Sequence, residues 1–297
     1  MPIRARKPPK VPTRVTGAGK SILRARQNVL AAEYDIPVPN VLLSYDKFKN
    51  NLFAKLKLVY GQNLPKVMID SGAFSAFNLG RAIDLDKYIA FLHTNADHIE
   101  CYINLDVIQD AEGSERNLLE MRRQGLDPIP VFHHGSPWSE WERMLERHSY
   151  VALGGMVGAR TEYKQNFLLR AWKLVEKRGY EGRIHGLGIT RIQFLRMYPW
   201  ASVDSSRWTS GARWGRMDLF HGGQMRRMKL WNMSEAYENR DFWRSYGVTP
   251  NQVGSKRRYE IDTVHSIGVI SWTRVEQWIG EQESREGKPF TLYLVYY

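Results

Sequence analysis

The stretch from Tyr150 to Leu187, YVALGGMVGARTEYKQNFLLRAWKLVEKRGYEGRIHGL, contains the repeating unit that decides the fold. It begins with a short apolar run, Tyr150–Gly154, and continues through glycines into an amphipathic segment, Glu162–Arg178. It ends in a second apolar run, Arg183–Leu187. Short apolar runs separated by a helix-length amphipathic segment are typical of parallel strands that helices cover on both faces. The stretch therefore predicts a strand–helix–strand unit.

The same alternation extends in both directions from this unit. Further candidate strands are Val41–Tyr45, Val67–Asp70, Cys101–Val107, Ile129–His133 and Ala201–Asp204. Further helical patterns are Lys47–Val59, Leu85–Thr94, Glu112–Gln124, Ser139–Arg147 and Arg191–Met197. Seven such units nearly complete a TIM-type (β/α)8 barrel, and an open doubly wound sheet is the alternative. No G-x-G-x-x-G follows the first strand, which argues against a dinucleotide-binding sheet.

The two ends of the chain differ from this middle part. Residues 1–20 are rich in proline, lysine and arginine and lack a hydrophobic period, which predicts a flexible basic arm. Residues 21–297 are predicted to form a single α/β barrel domain with a C-terminal extension from about residue 221. Within the extension, HSIGVISW (265–272) and TLYLVYY (291–297) look like strands, and either could be the eighth barrel strand.

Composition limits the class of protein. The 297 residues are 43% hydrophobic and 25% charged, which is ordinary for a globular chain. Cys101 is the only cysteine, which excludes a disulfide framework and a multi-cysteine zinc site and predicts a reducing, cytoplasmic location. The sequence holds no apolar run long enough for a membrane span and no secretory signal, so we expect no membrane partner.

The charge distribution favours a polyanionic partner. The formal net charge is +12, and eight lysines and arginines but no acid precede Glu33. A second basic stretch runs from Arg207 to Lys229, and Lys256–Arg258 follow it. A pattern of this kind predicts nucleic-acid binding, with a generally basic surface as the alternative.

Acids and glycines recur where the predicted strands end. Asp70, Asp106 and Asp204 follow or end the second, third and seventh strands, and Gly154-Gly155 ends the fifth. Each has a structural alternative, because aspartates cap turns and helices and paired glycines form tight turns. Their recurrence at one end of successive strands instead indicates an active site, which is where parallel barrels place it.

Three carboxylates around one site, with no phosphate loop or cysteine cluster, indicate chemistry at a sugar anomeric carbon. In such chemistry one carboxylate attacks as a nucleophile while another moves the proton of the leaving or entering group. Retaining glycosidases use two carboxylates in the same way. A basic protein that did this to nucleic acid would remove or exchange a base.

The order of these motifs resembles the tRNA-guanine transglycosylase (queuine/archaeosine tRNA-ribosyltransferase) superfamily. DSGAFS at 70–75 resembles the Asp-Ser-Gly-Gly-aromatic-Gln motif of that family, and HGS at 134–136 resembles its Gln-Gly-Gly or Gln-Gly-Ser. GGMVG at 154–158 resembles its Gly-Gly-Leu-x-x-Gly. Asp106 and Asp204 occupy the places of its base-reading and nucleophilic aspartates, and Thr209, Arg213 and Gly215 follow Asp204 at similar offsets. The resemblance covers roughly 67–220, about half of the chain.

The resemblance implies a TIM-type barrel that exchanges guanine for a 7-deazaguanine base through a covalent glycosyl-enzyme intermediate. It implies Asp204 as the nucleophile and Asp70 as the proton carrier. It implies a base-binding set of Ser71, Gly72, Phe74, Asp106, His134, Gly154, Gly155 and Met156. We expect the nucleic-acid backbone to bind at Arg207, Arg213, Arg216, Lys256, Arg257 and Arg258. No cofactor or metal is expected, and a free base such as 7-cyano-7-deazaguanine is the co-substrate.

Departures from the family pattern refine the expectation. Ala73 and Ser75 replace the second glycine and the glutamine of the first motif, His134 replaces a glutamine, and Trp208 replaces a proline. The three-cysteine, one-histidine zinc site of the tRNA enzymes cannot form here. The likeness is therefore closer to the short, phage-encoded DNA-guanine transglycosylases (DpdA-like), which implies DNA as the partner in a host cytoplasm.

Three alternatives remain beside this interpretation. The first is a tRNA-guanine transglycosylase without zinc, and the second is a non-catalytic nucleic-acid-binding partner on the same fold. The third is a metal-dependent hydrolase that uses His133, His134 and His185 together with the acids.

Overall fold

The described residues of the computed structural model form ten β-strands and twelve α-helices. The model describes residues 38–48, 53, 56–57, 64–254, 261–282 and 285–296. The strands are β1 Asn40–Ser44, β2 Val67–Asp70, β3 Cys101–Tyr102, β4 Val131–His133, β5 Tyr150–Gly154, β6 Arg183–Gly186, β7 Ser202–Ser205, β8 Arg216–His221, β9 Gln224–Lys229 and β10 Thr291–Tyr296. The predicted arm at 1–20 and the cations at 256–258 lie outside the described residues.

The helices lie mainly between the strands. They are α1 Tyr45–Phe48, α2 Ala73–Asn78, α3 Leu85–Thr94, α4 Ala111–Arg123, α5 Trp138–Arg147, α6 Thr161–Arg178, α7 Ile192–Met197, α8 Ser210–Trp214, α9 Met233–Glu238, α10 Arg240–Arg244, α11 Pro250–Gly254 and α12 Ile261–Gly280. Two short 3₁₀ helices occupy Ala96–His98 and Arg207–Thr209.

Helix boundaries follow from local side-chain chemistry. Asp84 is the N-cap of α3, and its side chain accepts a hydrogen bond from the backbone N–H of Lys87 at 3.1 Å. Asp110 begins α4 in the same way, with the N–H of Gly113 at 2.9 Å. Such caps satisfy N–H groups that have no partner within the first helical turn.

Eight strands form one parallel sheet in the order β3-β2-β1-β10-β7-β6-β5-β4. All of the pairings between neighbouring strands of this sheet are parallel. The predicted α/β class with a parallel sheet is therefore confirmed. TLYLVYY contributes the eighth strand, β10, which lies between β1 and β7 in the middle of the sheet.

The sheet is strongly curled. Its concave face carries an inner apolar cluster made of Leu42, Met68, Ile103, Ile129, Val131, Ala152, Tyr293 and Val295. The strands β3 and β4 are the opposite edges of the sheet. Ile103, just after β3, and Val131, in β4, nevertheless belong to this one cluster. Ile103 and Ile129 form an isolated parallel bridge, and the N–H of Asn104 donates to the carbonyl of Ile129 at 2.9 Å. An isolated bridge thus connects the segment that follows β3 to the segment that precedes β4.

The convex face of the sheet packs against the helices. Val41, Leu43, Val67 and Ile69 lie in one outer core with side chains from α3, α5 and α6. Alternate residues of a strand point to opposite faces. Burial on both faces explains why the strands are apolar almost throughout.

The prediction of a strand at HSIGVISW is wrong, because these residues lie within α12. This helix is apolar on two sides. Val269, Trp272 and Val275 join the outer core, while Ile267 and Ile270 pack against a second cluster formed with the β8–β9 hairpin. Periodicity cannot distinguish such a doubly buried helix from a buried strand over a short run.

A hairpin outside the parallel sheet spans residue 221, near which the extension is predicted to begin. The antiparallel hairpin β8–β9 starts at Arg216 and belongs to a separate two-stranded sheet. After α9 to α12 the chain returns to the parallel sheet as β10. Among the helices of the described ranges, none combines the length and the apolar character needed to cross a bilayer.

Candidate active site

Three aspartates meet at the carboxyl-terminal ends of the parallel strands. Asp70 is the last residue of β2, Asp204 lies in β7, and Asp106 follows β3. The pKa of Asp70 is raised to about 7, chiefly by burial and then by the negative charge of Asp204. The N–H of Gly72, 3.2 Å from Oδ2 of Asp70, acts in the opposite direction, and Asp106 adds a smaller upward effect. One carboxyl of this cluster therefore exchanges a proton in the neutral pH range.

Asp204 is held by groups of the neighbouring strand. The N–H of Gly188, just after β6, donates to Oδ1 of Asp204 at 2.8 Å. Nε2 of His185 lies 3.3 Å from the same oxygen, but its geometry is not that of a hydrogen bond. The Asp204 side chain is 11% exposed, so it is accessible from the mouth of the curled sheet and otherwise enclosed.

A buried polar chain runs behind Asp204. Nδ1 of His185 lies 2.6 Å from Oγ of Ser202, and that oxygen lies 2.6 Å from the hydroxyl of Tyr150. His185 is fully buried. If Nδ1 accepts from Ser202, Nε2 carries the imidazole proton on the side of the ring that faces Asp204. Sequence reasoning considered His185 only as a metal ligand and overlooked this chain.

Asp106 is also oriented by two donors. Nε2 of His133 lies 2.8 Å from Oδ2 of Asp106, and the amide of Asn104 donates to Oδ1 at 3.2 Å. Burial acts to lower the pKa of His133, but the hydrogen bond and charge of Asp106 outweigh it, so that the pKa is raised. Asn104 also donates to the carbonyl of Ser114 at 3.0 Å, which fixes this residue to α4.

Glycines after β2 and β5 allow close backbone approaches. Gly72 has φ +80°, and a Cβ there would lie 2.6 Å from Oγ of Ser44. Gly155 has φ +73°, and a Cβ there would lie 2.8 Å from the backbone nitrogen of His134. A left-handed conformation and a filled neighbourhood both favour glycine at these positions. The small residues after Asp70 thus shape the turn beside the carboxylate.

The other predicted base-binding residues lie in different environments. Ser71 is buried, Phe74 is 56% exposed, and Met156 is buried in the outer core. His134 is exposed, with its ring centroid 5.2 Å from that of Phe167. Gly154 accepts a hydrogen bond from the N–H of His134 at 3.1 Å, which holds the ends of β4 and β5 together.

The predicted phosphate-binding arginines divide into one anchored and two exposed residues. Nε of Arg207 donates to the buried Asp218 at 2.5 Å, and Arg227 donates to the other oxygen of Asp218 at 2.8 Å. Burial raises the pKa of Asp218, and the charge of Arg207 opposes that rise. Arg213 and Arg216 are exposed.

No family model matches the chain, and the search of curated proteins finds no match. Within the described ranges, no three His, Cys, Asp or Glu residues are grouped so that they could hold a metal ion. The chemistry of the site is therefore inferred from its own residues and from the order of its motifs.

Proposed function

We propose that this protein is a DNA-guanine transglycosylase, built on a closed TIM-type barrel, that exchanges guanine in DNA for a 7-deazaguanine base. The observation that carries the proposal is the pairing of Asp70 and Asp204 at the carboxyl ends of β2 and β7. Asp70 has a pKa raised to about 7, and Asp204 receives an N–H hydrogen bond from Gly188. Asp70 is therefore suited to proton transfer and Asp204 to nucleophilic attack.

In the first half of the reaction the target guanosine is flipped out of the DNA and enters the mouth of the curled sheet. A carboxylate oxygen of Asp204 attacks the anomeric carbon C1′, and the bond from C1′ to N9 of guanine breaks. The bonding electrons leave with guanine, and protonated Asp70 returns a proton to that base. The product is an ester between Asp204 and the sugar.

In the second half a 7-deazaguanine base occupies the place of the departed guanine. The carboxylate of Asp70 takes the N9 proton of this base, and N9 attacks C1′ while the ester bond to Asp204 breaks. Two inversions at C1′ give net retention, as in retaining glycosidases. Protons balance over the cycle, so this chemistry needs no cofactor beyond the incoming base.

Asp106 is suited to recognise the base. Its carboxylate can accept hydrogen bonds from N1–H and the exocyclic amine of guanine, groups that both guanine and 7-deazaguanines carry. His133 and Asn104 hold this carboxylate from behind. Backbone N–H groups near Gly155 can donate to the carbonyl oxygen of the base.

DNA is the proposed polymer because the chain is strongly basic and has too few cysteines for the zinc site of the tRNA enzymes. A tRNA substrate would use the same barrel chemistry. A non-catalytic binding protein would have no need for a proton-exchanging Asp70 beside Asp204.

The test is a base-exchange assay that offers duplex DNA and bulk tRNA side by side with radiolabelled guanine or 7-cyano-7-deazaguanine. We expect label to enter DNA. Label in tRNA alone would replace DNA by tRNA as the substrate. Label in neither polymer would refute catalysis and leave the binding-protein alternative.

The nucleophile has its own test. Asp204→Ala should abolish exchange and remove the covalent protein–DNA adduct, while DNA affinity stays within about twofold, since the electrostatic contacts are untouched. The adduct is measured by denaturing electrophoresis. Continued exchange by this variant would assign attack to another group.

A further inference from the structure

Three cations follow consecutive strands at the carboxyl-terminal edge of the curled sheet. Lys164 lies in the first turn of α6, after β5, and Arg191 precedes α7, after β6. Arg207 begins the 3₁₀ helix after β7. The strands β5, β6 and β7 are neighbours in the sheet. Since the carboxyl ends of parallel strands share one edge, all three cations follow the edge that carries Asp204.

Two of these loops are tied directly to the proposed nucleophile. Gly188, whose N–H donates to Asp204, is three residues before Arg191. Arg207 is three residues after Asp204. Asp218 fixes Nε of Arg207, and the side chain nevertheless remains 37% exposed. The guanidinium is therefore both anchored and accessible.

The cations are close enough to act on one another. The pKa of Lys164 is lowered by burial and then by the positive charges of Arg191 and Arg207. In the described part of the chain, no carboxylate forms an ion pair with Lys164 or Arg191. Among the described residues only Arg207 of the three has an acidic partner, Asp218, so the cluster keeps a net positive charge that an anion would neutralise.

We propose that Lys164, Arg191 and Arg207 form a binding site for the phosphodiester adjacent to the target nucleotide. The inference rests on the proposed function, since it assumes that a nucleic-acid strand crosses this mouth. Binding of one phosphate here would place the neighbouring sugar over Asp204. The site differs from the predicted basic arm at residues 1–20, because it would bind the nucleic-acid strand at the reacting nucleotide rather than elsewhere along that strand.

The experiment measures the affinity of a fluorescein-labelled DNA oligonucleotide with a single guanine by anisotropy, over a series of salt concentrations. Lys164→Ala and Arg191→Ala should each weaken binding roughly fivefold near 0.1 M salt, because each lost phosphate contact reduces the salt slope by about 0.7 for a single strand. Lys164→Arg should restore the affinity, since it keeps the charge.

Lys177→Ala is the matched control. Lys177 is exposed near the other end of the same helix, α6, roughly 20 Å from Lys164 at about 1.5 Å per residue. We expect this variant to bind as the wild type does. A neutral methylphosphonate at the linkage beside the guanine should remove the difference between wild type and Lys164→Ala, whereas the same substitution at a distant linkage should not.

Outcomes separate this site from the proposed function. If the wild type exchanges bases but Lys164→Ala and Arg191→Ala bind like Lys177→Ala, the phosphate site is refuted and the function stands. If both variants bind weakly while the wild type exchanges no base into DNA or tRNA, the site stands and the function fails. A wild type that binds neither DNA nor RNA oligonucleotides would overturn both.

Discussion

At the scale of the residue, the site depends on how burial and neighbouring charges prepare single side chains. Asp70 and Asp204 have the same chemistry in water, yet their surroundings differ. Asp70 is half-buried beside two other carboxylates, which disfavours its charged form. Both carboxylates accept a backbone N–H, but Asp204 also faces an imidazole nitrogen. The two identical residues therefore lie in different surroundings, and the proposed function assigns them different roles.

The raised pKa of Asp70 predicts a pH dependence of stability. Its pKa is about 7 in the folded chain against 3.8 ordinarily, so between these values the folded state binds a proton that the unfolded state has lost. The free energy of unfolding should then fall as pH rises from about 4 to about 7, by on the order of 2–4 kcal/mol. Asp70→Asn should remove this slope, measured by urea unfolding at several pH values. Equal slopes in both proteins would show that Asp70 ionises normally.

His185 is predicted to position Asp204. His185→Gln should lower the single-turnover rate of base exchange by roughly 10–100-fold, the scale seen for groups that orient a reacting residue. KM should change little, since His185 is buried away from solvent. Tyr150→Phe serves as the milder comparison, because it removes only the hydroxyl at the far end of this series of hydrogen bonds. A change in KM with an unaltered rate would assign His185 a role in substrate binding instead.

At the scale of the element, α12 joins the parallel sheet to the β8–β9 hairpin. Glu276 on this helix accepts hydrogen bonds from the side chain of Asn40 and from the N–H of Leu292, both at 2.8 Å. Burial raises the pKa of Glu276 to about 7. On another turn, Gly268 lies against the carbonyl of Trp208. The helix is thus fixed to β1, to β10 and to the segment that follows Asp204.

A substitution at Gly268 tests this close packing. A Cβ at Gly268 would lie 2.1 Å from the oxygen of Trp208, so α12 must move away from that backbone. Gly268→Ala should lower the free energy of unfolding by roughly 1–3 kcal/mol, the usual cost of overpacking. Gly280→Ala is the control, because a Cβ at the end of the same helix meets no atom within 4 Å. Similar unfolding midpoints for both variants would contradict the close approach.

At the scale of the whole molecule, the sheet is assembled from distant parts of the chain. β1 pairs with β10, so Asn40 lies opposite Tyr293 across nearly the full length of the sequence. β10 in turn pairs with β7, which carries Asp204. The C-terminal strand therefore completes the surroundings of the site that earlier strands begin.

Deletion of β10 should prevent folding. A chain that ends at residue 289 would leave β1 and β7 each unpaired on one side and would remove Tyr293 and Val295 from the inner cluster. We expect it to lack a cooperative thermal transition when followed by circular dichroism, because strands in the middle of a sheet cannot be lost without exposing both neighbours. A transition near that of the full chain would show that the rest folds independently.

The amino-acid sequence by itself determined the local elements and the chemistry at their ends. Apolar runs separated by amphipathic segments predicted most strands and helices, and Asp70 was predicted at the end of β2. These features depend on residues near one another in the chain, where pattern and side-chain type are directly readable.

Only the tertiary structure decided the parts that depend on distant neighbours. HSIGVISW is a helix because two separate clusters bury opposite sides of it. Two further features depend on the order of strands in the sheet. One is the hydrogen-bonded series from Tyr150 through Ser202 to His185. The other is the proximity of Lys164 to Arg191 and Arg207. That order is set by the burial of both sheet faces together, and no local pattern records it.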